Sequence, residues 1–456
     1  KLRVVAIPFK WVAPSIMLIV GIFATIAAVE RGYIYLLSHG STIFTTLIVG
    51  TLLLGVVRIL FILGVFIFKK PRRYTTYDIQ KSSEIGISVL IPAYNEVENI
   101  RSAVESIVHN THKKKEIIVI DDGSKDATGA VVQAVMQEYP NAAIQLLTLE
   151  NGGKARALNI GLTAAQYDIV AVLDADAVFG AGTLSAMVRH FDDPVVGAVA
   201  GKVYTTAEKN LLDQFQALEY IVGQNIDKEA FSRFGVVGVV PGPAGAWRKQ
   251  AIMEAGGFDT ATLAEDQDMT LSVLRLGYRI EYDADAKAYT ETPHTINNFF
   301  KQRFRWVFGT VQCFWKHKGV MFEQPTKPIG FLVLPNALVF GIILPLLSPL
   351  MDTALVLGLL LPGAKDLLFP FLLFTSIDLI YTFWGLSREK GRMKLLLLVP
   401  FQRILYRQLL YCTVVKSVVC AIEGTCTRWN KFAKVGNAQR FFVSTISNQT
   451  QTTTTV

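Results

Sequence analysis

Apolar segments at both ends of this 456-residue chain constrain its fold more than any other feature. Residues 12–29 and 43–68 carry almost no charge, and each run is long enough to cross a bilayer as a helix of about 20 residues. Apolar sequence returns over residues 328–386 and 395–423, whereas residues 75–320 are largely polar. The chain is therefore expected to place one large polar domain between two groups of membrane spans.

Charged residues are few and are placed beside the apolar segments. They make up 18% of the chain, below the roughly 25% typical of soluble domains. The net charge is +8, and basic clusters follow the second apolar run at Lys69–Arg73 and recur at Arg388–Lys394. This is the positive-inside pattern of cytoplasmic loops, so it predicts a cytoplasmic polar domain and argues against a nucleic-acid partner. The four cysteines show no CxxC pair and no disulfide framework.

These patterns divide the chain into four parts. We predict an N-terminal transmembrane hairpin over residues 1–74 and a cytoplasmic domain over 75–320. About three C-terminal spans follow over 321–435, and the Thr/Gln-rich tail over 436–456 is expected to be disordered. The lipid bilayer is thus the first partner that the sequence predicts.

Short β-branched runs alternate with helical patterns through the middle of the chain. Ile87–Pro92, Glu116–Ile120 and Ile169–Leu173 each have the pattern of a buried strand. Such alternation predicts an α/β domain with a mainly parallel, Rossmann-like sheet. All three strands end in polar, turn-forming residues, and ligands of open α/β sheets bind beyond the carboxyl ends of the strands. The pattern therefore predicts a binding site at that edge of the sheet.

An aspartate pair follows the third of these strands. Asp174 and Asp176 are two residues apart where the strand ends, so both carboxylates can reach one hard divalent cation, Mg²⁺ or Mn²⁺. The pair could instead cap a helix, but its spacing and its place at a strand end favour metal binding. A hard cation held between carboxylates and phosphates suits a sugar nucleotide, because the metal neutralises charge on the departing nucleoside diphosphate.

Other turns at the same edge suit the remaining parts of a nucleotide. Lys154 follows a glycine pair before a helix, where backbone N–H groups and an ammonium can bind a diphosphate. Asp121 and Asp122 end the second strand, and one of these carboxylates is expected to accept the N3–H of uracil. The turn after the first strand is expected to shape the base and ribose pocket with Ala93, Tyr94 and Glu96. An ordinary turn with a helix cap is the alternative for each element taken alone.

Two further motifs lie later in the polar domain. An acceptor hydroxyl needs a general base within hydrogen-bond reach, and we expect Asp266 to be that base with Glu265 as its supporting neighbour. The segment Gln302–Trp306 combines Arg303 and Arg305 with an indole, a set that suits a diphosphate and the face of a sugar ring. The alternatives are carboxylates that merely complement a helix dipole and a basic helix on the membrane surface.

In this order the motifs resemble those of the processive, membrane-integrated family 2 glycosyltransferases, which include cellulose, chitin, hyaluronan and poly-N-acetylglucosamine synthases. Four family motifs have counterparts here: DDG at Asp121–Gly123, DxD at Asp174 and Asp176, ED at Glu265–Asp266, and QxxRW at Gln302, Arg305 and Trp306. A single element could arise by chance, whereas four in order within one α/β domain are a strong signal. The resemblance covers residues 85–320 strongly and the flanking spans by their layout.

The resemblance implies a GT-A fold and inversion at the anomeric carbon by direct displacement. It implies one metal bound to UDP and a growing chain that passes out through the membrane helices. The nucleotide contacts would include Gln302, Arg303 and Arg305, and Trp247 and Trp306 would lie near the acceptor. The expected location is the bacterial inner membrane, with the catalytic domain in the cytoplasm.

The polymer is inferred from the layout of the chain. Two N-terminal spans, a compact length and Arg428–Lys431 most resemble bacterial poly-β-1,6-N-acetylglucosamine synthases, with UDP-GlcNAc as donor, the growing polysaccharide as acceptor and a small accessory membrane subunit as an expected partner. A hyaluronan or chitin synthase and a transferase of single sugars to a lipid carrier are the enzyme alternatives. A transporter or an inactive scaffold would explain the spans alone.

The last apolar segment carries three charges, at Arg403, Arg407 and Lys416. Charges inside a membrane span are costly and tend to face protein or a hydrated cavity. They either line a path for the polymer or belong to an interfacial helix whose long side chains reach the membrane surface. The sequence leaves both interpretations open.

Overall fold

The computed structural model describes residues 42–69, 83–360, 368–424 and 438–442. Contacts divide the chain into two compact units. Among the described residues, the helical unit comprises 42–69, 221–227, 339–360 and 368–416. The sheet unit comprises 83–220, 228–338, 417–424 and 438–442. The predicted first span at residues 12–29 lies outside the described residues, as does the predicted tail apart from 438–442.

An eight-stranded sheet organises the sheet unit. Its strands are β1 (Ile87–Ala93), β2 (Lys115–Asp121), β3 (Ile144–Thr148), β4 (Ile169–Val172), β5 (Ala177–Phe179), β6 (Val196–Thr205), β7 (Gly245–Arg248) and β8 (Arg279–Thr290). Their spatial order is β3-β2-β1-β4-β7-β6-β8-β5. The pairs β1–β2, β2–β3, β1–β4 and β6–β8 are parallel. The pairs β4–β7, β6–β7 and β5–β8 are antiparallel.

The predicted α/β domain is confirmed, and four of its seven described strand pairs are parallel, but the sheet is mixed because it also contains antiparallel pairs. The difference arises in the second half of the domain, where β7 enters the sheet between β4 and β6 and runs opposite to both. The register of β6 against β8 also shifts twice along its length, and such irregularities bend and twist a strand. The result is a GT-A-like sheet whose second half curls into a half-barrel.

The helices are named in chain order. They are α1 (Thr42–Phe68), α2 (Ile100–Val108), α3 (Thr128–Glu138), α4 (Lys154–Ala164), α5 (Thr183–Val188), α6 (Leu211–Val222), α7 (Glu229–Ser232), α8 (Lys249–Glu254), α9 (Glu265–Leu276), α10 (Ile296–His317), α11 (Val320–Glu323), α12 (Leu334–Leu338), α13 (Leu344–Leu360), α14 (Leu368–Leu386), α15 (Val399–Phe401) and α16 (Arg407–Ile422). Four of the described segments are π-helical: Gly223–Lys228, Ile329–Val333, Val339–Ile343 and Gln402–Tyr406. Gly242–Ala244 and Met393–Leu398 are 3₁₀-helical.

Apolar side chains alternate across the sheet and form a core on each of its faces. On β1, Leu90 belongs to one core while Val89 and Ile91 belong to the other, and all three are fully buried. Successive residues of a strand point to opposite faces, and a strand covered on both faces has a continuous apolar sequence. This two-sided burial explains why the sequence pattern could locate β1, β2 and β4.

Three described helical segments are long and apolar enough to cross a membrane: Thr46–Phe68, Ile329–Leu360 and Met393–Ile422. A shorter apolar helix spans Phe371–Leu386. These segments agree with the predicted apolar run at 43–68 and with the C-terminal apolar sequence. Length and composition therefore support a membrane-integrated protein with candidate spans on both sides of the sheet unit in sequence.

Two aspartates within the helical unit are each paired with arginine. Asp378 accepts Arg403 at 2.6 Å and Arg407 at 2.8 Å, and Arg403 is only 3% exposed. Asp227 accepts Arg58 at 2.9 Å and the Tyr381 hydroxyl at 2.6 Å. Pairing of this kind offsets part of the cost of burying charge. Arg403 is therefore held inside the unit and does not extend to a surface.

Candidate active site

The carboxyl ends of three strands meet at one edge of the sheet. Ala93, the last residue of β1, is paired in register with Asp121, the last residue of β2. Leu90 of β1 is paired with Val172, the last residue of β4. The turn after β4 then places Asp174 at the same edge. The parallel register thus brings polar residues from distant parts of the sequence to one place.

Lys154 lies between two carboxylates that come from different elements. Its Nζ atom is 2.7 Å from Asp174 Oδ1 and 2.9 Å from Glu265 Oε1. Lys154 is the first residue of α4, Asp174 follows β4, and Glu265 is the first residue of α9. We call Lys154, Asp174, Glu265 and Asp266 the acid–lysine cluster. It brings together residues from three of the motifs selected in the sequence.

Backbone amides hold the Asp266 carboxylate at the cluster. Gly242 N–H donates to Oδ2 at 3.1 Å, and Gln267 N–H donates to Oδ1 at 2.8 Å. A Cβ atom on Gly242 would lie 2.9 Å from Lys154 Nζ and 3.2 Å from Asp174 Oδ2. Only a glycine lets the backbone approach so closely without displacing these groups. The Gly-Pro-Ala-Gly turn that Gly242 begins is the sequence signal for this close approach.

Burial and neighbouring charges shift the pKa values around the cluster in different directions. Burial, followed by the adjacent Glu265 carboxylate, raises the pKa of Asp266 above its usual value. Burial also opposes ionisation of Glu265, but the charges of Lys154 and Arg305 outweigh it and lower the pKa of Glu265. Burial lowers the pKa of Lys228 to about 8, although the Asp266 carboxylate favours its charged form. A raised pKa makes Asp266 a stronger proton acceptor than an ordinary carboxylate, as a general base requires.

Asp174 and Asp176 suit a divalent cation that is shared with a substrate. Asp174 already holds a cationic group, the Lys154 ammonium, and Asp176 is 6% exposed. Among the described residues, no group of three or more His, Cys, Asp or Glu side chains could enclose a metal ion. Mg²⁺ is commonly bound through one or two carboxylates, with waters and substrate phosphates as its other ligands. The two carboxylates therefore fit such a metal, and their metal binding stays a prediction.

The Asp122 carboxylate holds the loop that precedes α4. Gly152 N–H donates to its Oδ1 at 2.9 Å, and Gly153 N–H donates to its Oδ2 at 2.8 Å. Asn151 Nδ2 donates to the Asp122 carbonyl at 2.9 Å. Gly153 has φ of +88°, a conformation that favours glycine. Asp122 therefore fixes the loop that delivers Lys154 to the cluster, a role that sequence reasoning did not foresee.

The turns after β1 and β2 are bonded to each other. Asn95 N–H donates to Ser124 Oγ at 2.9 Å, and Glu96 N–H donates to Thr128 Oγ1 at 2.8 Å. Asp121 Oδ1 in turn accepts the N–H of Ser124 at 2.9 Å. The two turns thus form one structure at the sheet edge. A nucleotide contact stays a prediction for Ala93, Tyr94, Glu96, Asp121 and Asp122.

Arg303 packs inside the sheet unit. Its Nη2 atom is 2.6 Å from Glu219 Oε2, and its guanidinium lies 4.2 Å from the centre of the Trp306 ring. The side chain is 2% exposed, and the Tyr220 ring lies 6.3 Å from that of Trp306. The structure therefore shows an ion-pairing and packing role for Arg303 between α6 and α10, and its contact with the nucleotide stays a prediction.

The other two polar residues of the QxxRW motif differ from Arg303. Arg305 contributes to the electrostatic surroundings of Glu265, which places it near the acid–lysine cluster. Gln302 Oε1 is buried and has no hydrogen-bond partner among the described residues. Buried polar atoms are normally satisfied, so this acceptor is available to a donor from a ligand. Contacts of Gln302 and Arg305 with the nucleotide remain predictions.

Helix α10 is fixed against the start of α9. A Cβ atom on Gly309 would lie only 2.6 Å from Ala264 Cβ, so the two segments are in close contact. Asp268 accepts Lys316 Nζ at 2.7 Å and is 2.8 Å from His317 Nε2. These contacts tie the helix that carries the QxxRW motif to the helix that carries Asp266. The two motifs therefore keep a fixed relation to each other.

Trp247 belongs to the core of the sheet unit. It lies on β7, is 2% exposed and packs edge-on against Phe258 at 6.3 Å between ring centres. The structure therefore shows a packing role for Trp247. Trp306 is only partly buried, and the acceptor contacts of both tryptophans stay predictions.

The comparison with protein families agrees with this geometry. Residues 85–309 match the family described as "Glycosyltransferase like family 2". That range holds the whole acid–lysine cluster, the Asp121–Asp122 pair and the QxxRW motif. Residues 85–309 therefore match a family 2 glycosyltransferase domain, as the sequence motifs predicted.

Curated relatives are polysaccharide synthases. A poly-beta-1,6-N-acetyl-D-glucosamine synthase of Staphylococcus aureus (strain COL) is 33% identical over 248 residues, which are 54% of this chain and 60% of that protein. The enzyme of the same name from Staphylococcus epidermidis is 31% identical over 246 residues, 54% of this chain and 59% of its own length. The matched region thus spans about 60% of the length of these curated relatives.

A solved structure supports the fold. The mannosyltransferase PcManGT from Pyrobaculum calidifontis, in complex with GDP-Man and Mn²⁺, superposes with a TM-score of 0.59. The superposition covers 87% of this chain and 100% of that chain at 21% sequence identity. The likeness confirms the GT-A-type fold that the motifs implied.

Proposed function

We propose that this protein is a processive, inverting glycosyltransferase that polymerises N-acetylglucosamine from UDP-GlcNAc into a β-1,6-linked exopolysaccharide of biofilms. The observation that carries the proposal is the acid–lysine cluster, in which a partly buried carboxylate with a raised pKa lies beside a lysine and an aspartate of the DxD pair. The staphylococcal relatives support the choice of donor and linkage. The candidate spans support delivery of the product across a bacterial inner membrane, with the sheet unit in the cytoplasm.

The donor diphosphate is expected at the loop that Asp122 holds. The start of α4 offers backbone N–H groups to an anion, and Lys154 can leave its carboxylate partners to bind phosphate. Asp174 and Asp176 would hold the divalent cation, Mg²⁺ or Mn²⁺, which supplies charge neutralisation to the departing UDP. Gln302 and Arg305 of α10 are the further polar groups assigned to the nucleotide. The uracil is assigned to the bonded turns after β1 and β2.

Transfer requires one proton movement and one displacement. Asp266 accepts the proton of the acceptor hydroxyl as that oxygen attacks the anomeric carbon of the donor. The new carbon–oxygen bond forms as the bond from the anomeric carbon to the UDP oxygen breaks, and this single displacement inverts the configuration. The proton stays on Asp266 and the electron pair leaves with UDP. Glu265 remains ionised next to Lys154, so its charge keeps the pKa of Asp266 high.

The acceptor side of the site is assigned to Trp306. Its partly exposed ring lies on α10, which is tied to α9 and hence to Asp266. A sugar stacked on this ring would present its hydroxyl to the base. The growing chain would leave through the membrane helices, and a small accessory membrane subunit is an expected partner in this step.

The test is product analysis. The purified protein is reconstituted in lipid and incubated with labelled UDP-GlcNAc and Mg²⁺ or Mn²⁺, and the product is sized and digested. The proposal predicts a long product that a β-1,6-specific hexosaminidase cuts and chitinase leaves intact. Cleavage by chitinase would identify a chitin synthase instead. A single sugar recovered on a lipid carrier would identify a lipid-linked transferase.

A further inference from the structure

The edge strand β5 begins at the residue after Asp176. It has only three residues, Ala177–Phe179, and it lies at the end of the sheet with β8 as its neighbour. Ala177 and Phe179 are buried in the core on the inner face. A strand this short with a single neighbour is weakly held by its own hydrogen bonds. Its position therefore depends on what covers its outer face.

Residues 438–442 cover that outer face. Val178 points outward, is 1% exposed, and clusters with Ala438 and Phe442, which are 0% and 8% exposed. Beside it, the Phe441 ring lies 4.5 Å from the ring of Tyr289, and Tyr289 is the register partner of Val178 on β8. We call residues 438–442 the C-terminal strap. The strap is thus packed on both strands of the sheet edge that follows the aspartate pair.

The aromatic contact continues along the same face of the sheet. The Tyr289 ring stacks on that of Tyr204 of β6 with centres 5.4 Å apart and an interplanar angle of 20°. The strap therefore rests on a layer that includes side chains of β5, β8 and β6. Aromatic pairs stabilise a contact beyond the area that they bury, so this layer helps to hold the edge.

Asp176 is bound to the same edge through its backbone. Its carbonyl accepts the N–H of Glu291, the residue that follows β8, at 3.4 Å. The turn just before β5 is closed by Ala177 N–H, which donates to the Asp174 carbonyl at 2.9 Å. Any displacement of β5 from β8 would consequently change where the Asp174 and Asp176 carboxylates point.

We propose that the C-terminal strap is a positioning element that holds Asp176 in the geometry required by the divalent cation. This inference rests on the proposed function, because it takes Asp174 and Asp176 as the metal ligands. Metal affinity is sensitive to residues that orient the ligands, and their substitution typically costs about 10- to 100-fold. The strap follows the last apolar helix in sequence, and through β5 it thereby affects the nucleotide site.

The experiment measures Mn²⁺ binding to the full chain in lipid nanodiscs with UDP present, by electron paramagnetic resonance of the free ion. The double variant Phe441→Ala/Phe442→Ala removes the strap contacts and is expected to weaken Mn²⁺ binding about 10-fold. The conservative variant Phe441→Tyr/Phe442→Leu should keep affinity close to that of the native protein. Phe191→Ala is the matched control, because Phe191 is 5% exposed, packs against the Arg248 guanidinium and belongs to a different cluster from Val178, Ala438 and Phe442.

The possible outcomes distinguish a failure of the strap proposal from a failure of the proposed metal site. Loss of Mn²⁺ affinity in the alanine double variant alone, with thermal unfolding no lower than that of Phe191→Ala, supports the proposal. Native affinity in that variant overturns the role of the strap and leaves the metal site standing if Asp174→Ala/Asp176→Ala still loses the ion. An equal loss in Phe191→Ala overturns it as well, since the effect would then be general destabilisation. No Mn²⁺ binding by the native protein would overturn both the strap and the proposed metal site.

Discussion

Two groups of carboxylates lie at the same edge of the sheet and hold different partners. Asp121 and Asp122 accept N–H groups of the backbone, at 2.8–2.9 Å, and so fix the turns and the glycine loop around them. In the acid–lysine cluster, Asp174 and Glu265 instead hold the single ammonium of Lys154. The first pair is already bonded within the fold, whereas the second group holds a cation on a long side chain.

The difference separates carboxylates that hold the backbone in place from carboxylates that take part in the reaction. The Asp122 carboxylate cannot turn to a ligand without releasing the two N–H groups of the glycine loop, and buried donors left unpaired cost about 1–3 kcal/mol each. Asp266 is likewise held by two backbone N–H groups, but a base receives its proton in place and does not have to turn. An ammonium on a flexible stem can be exchanged for another cation or can turn to a phosphate. We therefore expect the cluster to act in the reaction and Asp122 to act mainly through the loop.

The largest effect is expected for Asp266→Asn. An amide cannot accept the acceptor proton, and general base catalysis contributes about 10²- to 10⁴-fold, so the polymerisation rate should fall by about 10³-fold. The affinity for UDP should stay within about twofold, because the charge removed does not face the diphosphate in the proposed mechanism. Initial rates from labelled UDP-GlcNAc and calorimetry with UDP measure the two quantities. Polymer formed at near the native rate would show that Asp266 is not the base.

The next effect is expected for Asp174→Ala/Asp176→Ala. Removal of both carboxylates leaves the cation without protein ligands, so the gain in UDP affinity that Mn²⁺ provides should disappear, a loss of about 100-fold. Calorimetry with and without Mn²⁺ measures the gain in UDP affinity that the metal provides, and the metal-free affinity for UDP serves as the internal control. A metal-dependent gain of native size in the double variant would place the metal elsewhere.

A smaller effect is expected for Asp122→Asn. The amide keeps the size of the side chain but can accept only through one oxygen, so one of the two loop N–H groups loses its charged partner. Hydrogen bonds to charged groups contribute about 1.5–3 kcal/mol, and the unfolding free energy should fall by about that amount. UDP affinity should fall about 10-fold, equivalent to about 1.4 kcal/mol, because Lys154 is no longer held in place. Native UDP affinity and stability would contradict the supporting role of Asp122.

The smallest effect is a shift in the pH profile of Lys228→Gln. Asp266 is active as the deprotonated form, and its raised pKa moves the acid limb of the rate profile to higher pH than an ordinary carboxylate gives. Loss of the nearby Lys228 charge favours protonated Asp266, so the acid limb of the rate profile should shift further toward higher pH. Above pH about 8 the native lysine loses its own charge, and the two profiles should converge. Lys113→Gln, at an exposed site, is the control, and superimposable limbs would exclude the coupling.

The sequence predicted the parts of the fold that depend on local pattern. The runs that form β1, β2 and β4 are buried on both faces, so their apolar character is visible without knowledge of their neighbours. The reversal of β7 was not visible, because four residues carry no directional signal. The mixed sheet follows from how the chain returns after the Gly242 turn, which is a tertiary property.

The sequence predicted which residues lie together in the site better than it predicted what each residue does there. Lys154, Asp174 and Glu265 lie together as the order of motifs implied, since each is placed at an element end. Arg303 and Trp247 have the right chemistry for a diphosphate and a sugar, yet both are 2% exposed. Burial is decided by packing partners such as Glu219 of α6, more than 80 residues from Arg303 along the chain, and residue type alone cannot reveal it.

One measurement tests the central claim most directly: polymer formation from UDP-GlcNAc and Mn²⁺ by Asp266→Asn and Asp122→Asn in the same lipid, with UDP affinity determined for both. The account predicts that Asp266→Asn binds UDP like the native protein and makes almost no polymer. It predicts that Asp122→Asn binds UDP more weakly and still makes polymer once UDP-GlcNAc is saturating. Polymer from Asp266→Asn at a near-native rate, or its complete loss in Asp122→Asn at saturation, would contradict the division between the two carboxylate groups.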